Sequence, residues 1–265
     1  MKGVIVKLLL VAVALYGLVC LAMFAGQKRF LFHPTPATAK PAAYGLADFR
    51  RVTIPTSDGL KLVGWLHEGA APDRALIYFY GNADALPPYA PFFRRFADAG
   101  YAVLGVNYRG YAGSDGEPSE EGFYRDGEAA LRFMAERVPV GAITVMGRSI
   151  GSGVAVKLAA ENPVGAVVLI SPYTSITNVA AKAFWWLPVR LLLTHRFPSI
   201  ERIGAVRAPL LIVHGARDTL IPPSEGEALF AAANEPKRLE IQHDADHIAL
   251  DFDRIFELAT APPAR

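Results

Sequence analysis

Three residues stand where a hydrolytic relay would need them. Ser149 lies in Gly147-Arg148-Ser149-Ile150-Gly151, a G-x-S-x-G pattern between the apolar run "AITVMG" and the small-residue run "GSGVAVKLAAEN". A serine hydroxyl is a weak nucleophile at neutral pH, so it needs a base and an exposed position on a sharp bend. Gly147 and Gly151 keep Cβ atoms out of such a bend, and the Ile150 N–H, opening a helix, can point at a developing oxyanion. Alone, the pattern suits a helix-capping serine equally well. Asp218, in "HGARDTLIPP", follows the strand-like "PLLIVHG", and His247, in "HDADHIAL", follows "KRLEIQ". The order Ser, acid, His with each member after its own strand is what a Ser149–His247–Asp218 relay requires. A second oxyanion donor is expected in the loop after "ALIYFYG", where Gly81 admits close backbone approach and Asn82 N–H is the candidate.

Other residues compete for these roles. Asp244 or Asp246 can orient a base, but neither follows a separate strand. His243 is expected still on its strand end, and His214 beneath Asp218. His33, His67 and His195 read as structural or surface residues. His243 and His247 are four apart, as in a metalloprotease helix, but a strand running up to them disfavours that geometry, and no metal is expected.

The elements that position these residues alternate. "RRVTIP" and "LKLVGWLH", separated by Ser57-Asp58-Gly59, form a hairpin. Buried strands "ALIYFYG", "YAVLGVNY", "AITVMG", "GAVVLIS" and "PLLIVHG" then alternate with helical segments, among them "YAPFFRRFADAG", "SEEGFYRDGEAALRFMAERV" and "PSEGEALFAAAN". The last helix is expected from about Ile248. This pattern predicts an α/β fold with a mostly parallel sheet covered by helices on both faces. In such sheets ligands bind beyond the strand carboxyl ends. An insertion at about 174–207, centred on "FWWLPVRLLL", reads either as a cap over an acyl pocket or as ordinary core.

The 265 residues carry a formal charge of +2 without a basic stripe, which argues against a nucleic-acid partner. The only cysteine, Cys20, excludes an intrachain disulfide and a cysteine zinc cluster. From Leu8 to Gly26 no charge interrupts an apolar run long enough to cross a bilayer. Its length and its Met23-Phe24-Ala25 exit favour an uncleaved anchor over a signal peptide. Lys2 and Lys7 balance Lys28 and Arg29, so topology stays open. The expected organisation is an anchor over 1–27, a linker or arm over 28–48 and a catalytic domain over 49–265.

Together with "QKRFLFHP", "YGNA", "NYRGYAGSDGEPSEEGFYRD" and "SPYTS", these residues resemble the α/β-hydrolase superfamily. The likeness is closest to its membrane-anchored, serine-aminopeptidase-like branch of the bud-emergence type. The resemblance implies Ser149 as nucleophile, Asp218 as acid, His247 as base and Gly81-Asn82 as oxyanion motif, with no cofactor. Tyr80 stands where that family carries histidine, and Asp246 where it carries glycine before the base. The expected activity is hydrolysis of ester or thioester bonds in a small or lipid-like acyl substrate. A peptidase, or a silent membrane-tethered interaction protein, are the alternatives.

Overall fold

The computed structural model describes residues 1–69 and 73–261. Eight strands form one sheet: β1 (Arg50–Pro55), β2 (Lys61–His67), β3 (Ala75–Phe79), β4 (Ala102–Val106), β5 (Ile143–Arg148), β6 (Ala166–Ile170), β7 (Leu210–Gly215) and β8 (Lys237–Gln242). Their spatial order is β1-β2-β4-β3-β5-β6-β7-β8. β2 pairs antiparallel with β1 and β4, and every pairing from β4 to β8 is parallel. β3, β4, β5 and β7 are buried at every position, as strands covered on both faces must be, whereas edge strand β1 alternates.

The helices are α1 (Lys2–Leu31), α2 (Ala90–Asp98), α3 (Glu120–Ala135), α4 (Ile150–Glu161), α5 (Ile176–Ala183), α6 (Val189–Leu192), α7 (Ser199–Arg202), α8 (Pro223–Ala232) and α9 (Phe252–Thr260). α3, α4, α7 and α8 pack in succession as one layer, while α2 and α9 pack together as another. Local chemistry sets several boundaries. Ser119 Oγ accepts from Gly122 N–H at 3.1 Å to cap α3, whose first turn carries Glu120 and Glu121 at the positive end of the helix dipole. Gly100 ends α2 with φ +87°, open to glycine at little cost.

Two boundaries differ from the sequence reading. The last helix begins at Phe252, because Asp246 first binds Ile248 and Ala249 N–H and Asp251 then caps the helix through Arg254 N–H. α1 runs on to Leu31, four residues past the expected end of the anchor. Phe32 already lies in the core, with ring centroids 5.3 Å from Phe123 and 6.5 Å from Phe197. The segment after it lies on the body: Thr35 Oγ1 donates to Asp84 O and Thr35 O accepts from Ala112 N–H.

The string around Arg109 is structural. Arg109 spans two carboxylates, with Nε 2.8 Å from Asp126 Oδ1 and Nη1 2.8 Å from Asp58 Oδ2. It thereby ties the β1–β2 turn and α3 to the loop after β4. Burial pushes the Asp126 carboxyl up to about 6, against the hydrogen bonds from Arg109.

Candidate active site

The chain order reverses across β4-β3-β5, so the loops after β3 and β5 open at one crevice. Ser149 stands between β5 and α4 with φ +50° and ψ −120°, a conformation that L-residues disfavour. Its side chain makes no capping bond to α4, so the helix-cap role is not the one it plays. The flanking glycines are sterically required. A Cβ at Gly147 would meet Gly151 O at 2.3 Å, and one at Gly151 would meet Phe79 O at 2.4 Å.

The structure brings Ser149, His247 and Asp218 into one chain of hydrogen bonds. Ser149 Oγ is 3.2 Å from His247 Nε2, and His247 Nδ1 is 2.7 Å from Asp218 Oδ2. With Nδ1–H donated to the carboxylate, the Nε2 lone pair faces the serine hydroxyl. The other Asp218 oxygen accepts from Leu220 N–H at 3.0 Å and Ile221 N–H at 2.8 Å. Burial alone would raise the Asp218 carboxyl, but the adjacent His214 imidazole and the bonds from His247 and Ile221 N–H outweigh it and hold it well below the usual carboxylate range.

Gly81 adjoins this centre: a Cβ built there would sit 3.3 Å from Ser149 Cβ. Neither Asn82 N–H nor Ile150 N–H donates to another group among the described residues, which leaves both free for an oxyanion. The Asn82 side chain has a separate task. Its Nδ2 donates to Leu31 O at 2.7 Å, and its Oδ1 accepts from Tyr111 OH at 2.8 Å and His33 N–H at 3.0 Å. The end of α1 therefore pins the loop carrying the candidate donor. Tyr80 is fully buried, and its carbonyl accepts from Tyr108 OH at 2.8 Å.

The competing residues sit elsewhere. His243 is exposed, just beyond β8 rather than on its end, and residues 243–247 follow a turn at 243–244 and then irregular backbone instead of a helix. Asp244 pairs with Arg217 at 2.6 Å. Asp246 binds its own loop, whose N–H groups lower its carboxyl. His214 donates to Ile221 O at 2.8 Å and lies 3.5 Å from Asp218. His33 contacts the Asn82 amide, His67 lies 3.1 Å from Asp48, and His195 packs on Phe32.

Sequence reasoning missed Arg148. The buried guanidinium donates to Asp84 Oδ2 at 2.9 Å, Tyr89 OH at 2.7 Å and the His247 carbonyl at 2.7 Å. It clamps the backbone of His247. In sequence it occupies a variable position of G-x-S-x-G, so no spacing marks it.

The family model for "Serine aminopeptidase, S33" matches residues 70–202. The Mycobacterium tuberculosis protein Rv2307c is 36% identical over 233 residues, covering 86% of this chain and 83% of that one. Protein bem46 of Schizosaccharomyces pombe is 30% identical, with 72% of this chain and 68% of its own length aligned. Among solved structures, the Pyrococcus furiosus esterase Pf2001 superposes with a TM-score of 0.69 at 21% identity, covering 86% of this chain and 93% of that one.

Proposed function

From the premise that the chain belongs to the serine aminopeptidase S33 family of α/β-hydrolases, we propose that it cleaves ester or thioester bonds through Ser149, His247 and Asp218. The observation that carries this reading is the hydrogen-bonded run from Ser149 Oγ through the His247 ring to Asp218, at 3.2 and 2.7 Å. His247 Nε2 takes the hydroxyl proton as Ser149 Oγ attacks the acyl carbon. Asp218 holds the imidazole tautomer and stabilises the imidazolium. Asn82 N–H and Ile150 N–H receive the negative charge that develops on the carbonyl oxygen. His247 then protonates the departing alcohol or thiol, and a water molecule repeats the sequence on the acyl-enzyme to release a carboxylate. In the same reading α1 is a single-pass membrane anchor, since its length and composition suffice to cross a bilayer.

A fluorophosphonate probe tests the nucleophile. The wild-type protein is expected to label and to turn over p-nitrophenyl butyrate, and Ser149→Ala to do neither. Undiminished labelling of Ser149→Ala would remove Ser149 from the mechanism.

A further inference from the structure

α1 does not stand clear of the catalytic body. Its C-terminal half packs along the insertion between β6 and β7, where Tyr16 OH donates to Trp186 O at 2.8 Å. Further down, the Gln27 side chain accepts from Thr194 N–H and Oγ1–H at 2.8 and 2.9 Å and donates to Phe24 O at 2.9 Å. Between helix and insertion lies a cavity of about 120 Å³, walled by Met23, Phe24 and Leu31 on one side and Ala180, Phe184 and Leu192 on the other. Gln27 is its single polar side chain, and those bonds already occupy its amide. A cavity so lined favours methylene groups over any polar ligand.

Its position relative to a bilayer follows from helix length. Only thirteen residues, Gly3 to Leu15, lie between Lys2 and Tyr16 in α1, and all but Lys7 are uncharged. They rise about 20 Å at ~1.5 Å per residue, short of a hydrocarbon core of ~30 Å. For α1 to cross the membrane, roughly 10 Å of the helix flanked by the insertion must lie within the hydrocarbon as well. The surface there suits that depth: Trp185 is 82% exposed and Leu191 83%, with Phe184 and Trp186 also exposed beside them. Exposed apolar side chains of this size, with the long side chain of Arg190 among them able to reach a headgroup, mark a membrane or partner contact. The cavity is also tied to the chemistry. Leu31, one of its walls, accepts through its carbonyl the Asn82 side-chain bond, and neighbouring Gly81 adjoins Ser149.

We propose that the cap tip, Phe184 to Leu191, is sunk in the same leaflet as the C-terminal half of α1, and that the cavity between them receives an acyl chain directly from that leaflet. The substrate is then a long-chain acyl ester resident in the membrane. This rests on the reading of Ser149 as nucleophile and of α1 as anchor. One water is added across the acyl–oxygen bond: the chain leaves as a carboxylate with loss of a proton, and the headgroup portion leaves as an alcohol.

The full-length protein in phosphatidylcholine vesicles tests it in two ways. Of three tryptophans, Trp65 is buried in the core, so membrane-dependent changes in tryptophan fluorescence report on Trp185 and Trp186. Vesicles of phosphatidylcholine brominated along one acyl chain are expected to quench this emission strongly, in wild-type protein and in Ser149→Ala alike. Emission unaffected by the brominated lipid would overturn cap insertion. The second arm compares p-nitrophenyl palmitate with p-nitrophenyl butyrate for wild-type protein and Ala180→Trp, which fills the cavity. The palmitate-to-butyrate ratio of kcat/KM is expected to fall about tenfold or more. A ratio left unchanged in a variant that keeps its wild-type melting temperature would overturn the acyl-chain assignment. Because quenching does not depend on turnover, a hydrolytically active Ser149→Ala would count against the nucleophile and leave the insertion result standing.

Discussion

Replacing Asn82 by alanine separates the backbone N–H proposed as an oxyanion donor from the side chain that holds its loop in place. The amide group lost makes bonds to Leu31 O, Tyr111 OH and His33 N–H at 2.7, 2.8 and 3.0 Å. At about 1 kcal/mol net for each, the loop loses about 3 kcal/mol of anchoring. That is comparable to the ~2.7–4 kcal/mol that one oxyanion donor supplies. A loop so loosened cannot keep its donor aimed, and kcat is expected to fall between about 10-fold and the ~10³-fold of complete donor loss. KM for a short ester should stay within about threefold, because the charge being stabilised exists only in the transition state. Asn82→Asp, which retains the acceptor for Tyr111 and His33 but sets an anionic oxygen against Leu31 O, should fall between the two. The assay is steady-state hydrolysis of p-nitrophenyl butyrate, with melting temperatures measured in the same detergent. An unchanged kcat in folded Asn82→Ala, or a loss confined to KM, would refute the link between the α1 terminus and the oxyanion loop.

Two further substitutions probe the groups that hold His247, the proposed base. Asp218→Asn should lower kcat by about 10⁴-fold, since the amide no longer selects the Nδ1–H tautomer of His247. Its stability should also respond differently to acid. A carboxyl held below its unfolded value stabilises the protein above about pH 4 and loses that contribution as pH falls further. Urea unfolding between pH 3 and 6 should therefore show a shallower acid-side decline for Asp218→Asn than for wild type. Arg148→Met removes the donors to His247 O, Asp84 and Tyr89 together. Leaving Asp84 without its cation should cost about 3 kcal/mol of unfolding free energy. Loss of the charge-assisted bond to His247 O should lower kcat at least about tenfold. A destabilised Arg148→Met with wild-type kcat would confine this arginine to a structural role.

The candidate relay was legible because the fold brings strand-end residues together at one edge. Continuous apolar strands announce a parallel sheet, its strands end at one rim, and Ser149, Asp218 and His247 each follow one of those ends. Glycine signals were equally readable, since Gly147 and Gly151 answer to backbone atoms within 2.4 Å of a would-be Cβ. What sequence cannot display is the direction of a long side chain. Arg148 sits between two diagnostic residues, yet only the folded chain turns it toward Asp84 and the His247 carbonyl. The Asn82 amide is a similar case, because its partners lie 49 and 51 residues away in a segment without periodicity. The start of the final helix moved for a local reason, since two aspartates, Asp246 and Asp251, each compete to organise the turn after the base.

The absence of slack between α1 and the core has a kinetic meaning. Leu31 closes the helix and Phe32 is already locked among Phe123, His195 and Phe197, so no free residue separates α1 from the domain. With α1 in a bilayer, Ser149 is carried at a fixed height and tilt, and it cannot swing out to sample the bulk solution. Encounter becomes a search in two dimensions, governed by surface density and lateral diffusion. The rate should then follow the mole fraction of substrate in the membrane, and diluting that membrane with inert lipid should slow the reaction even when the total substrate in the tube is unchanged.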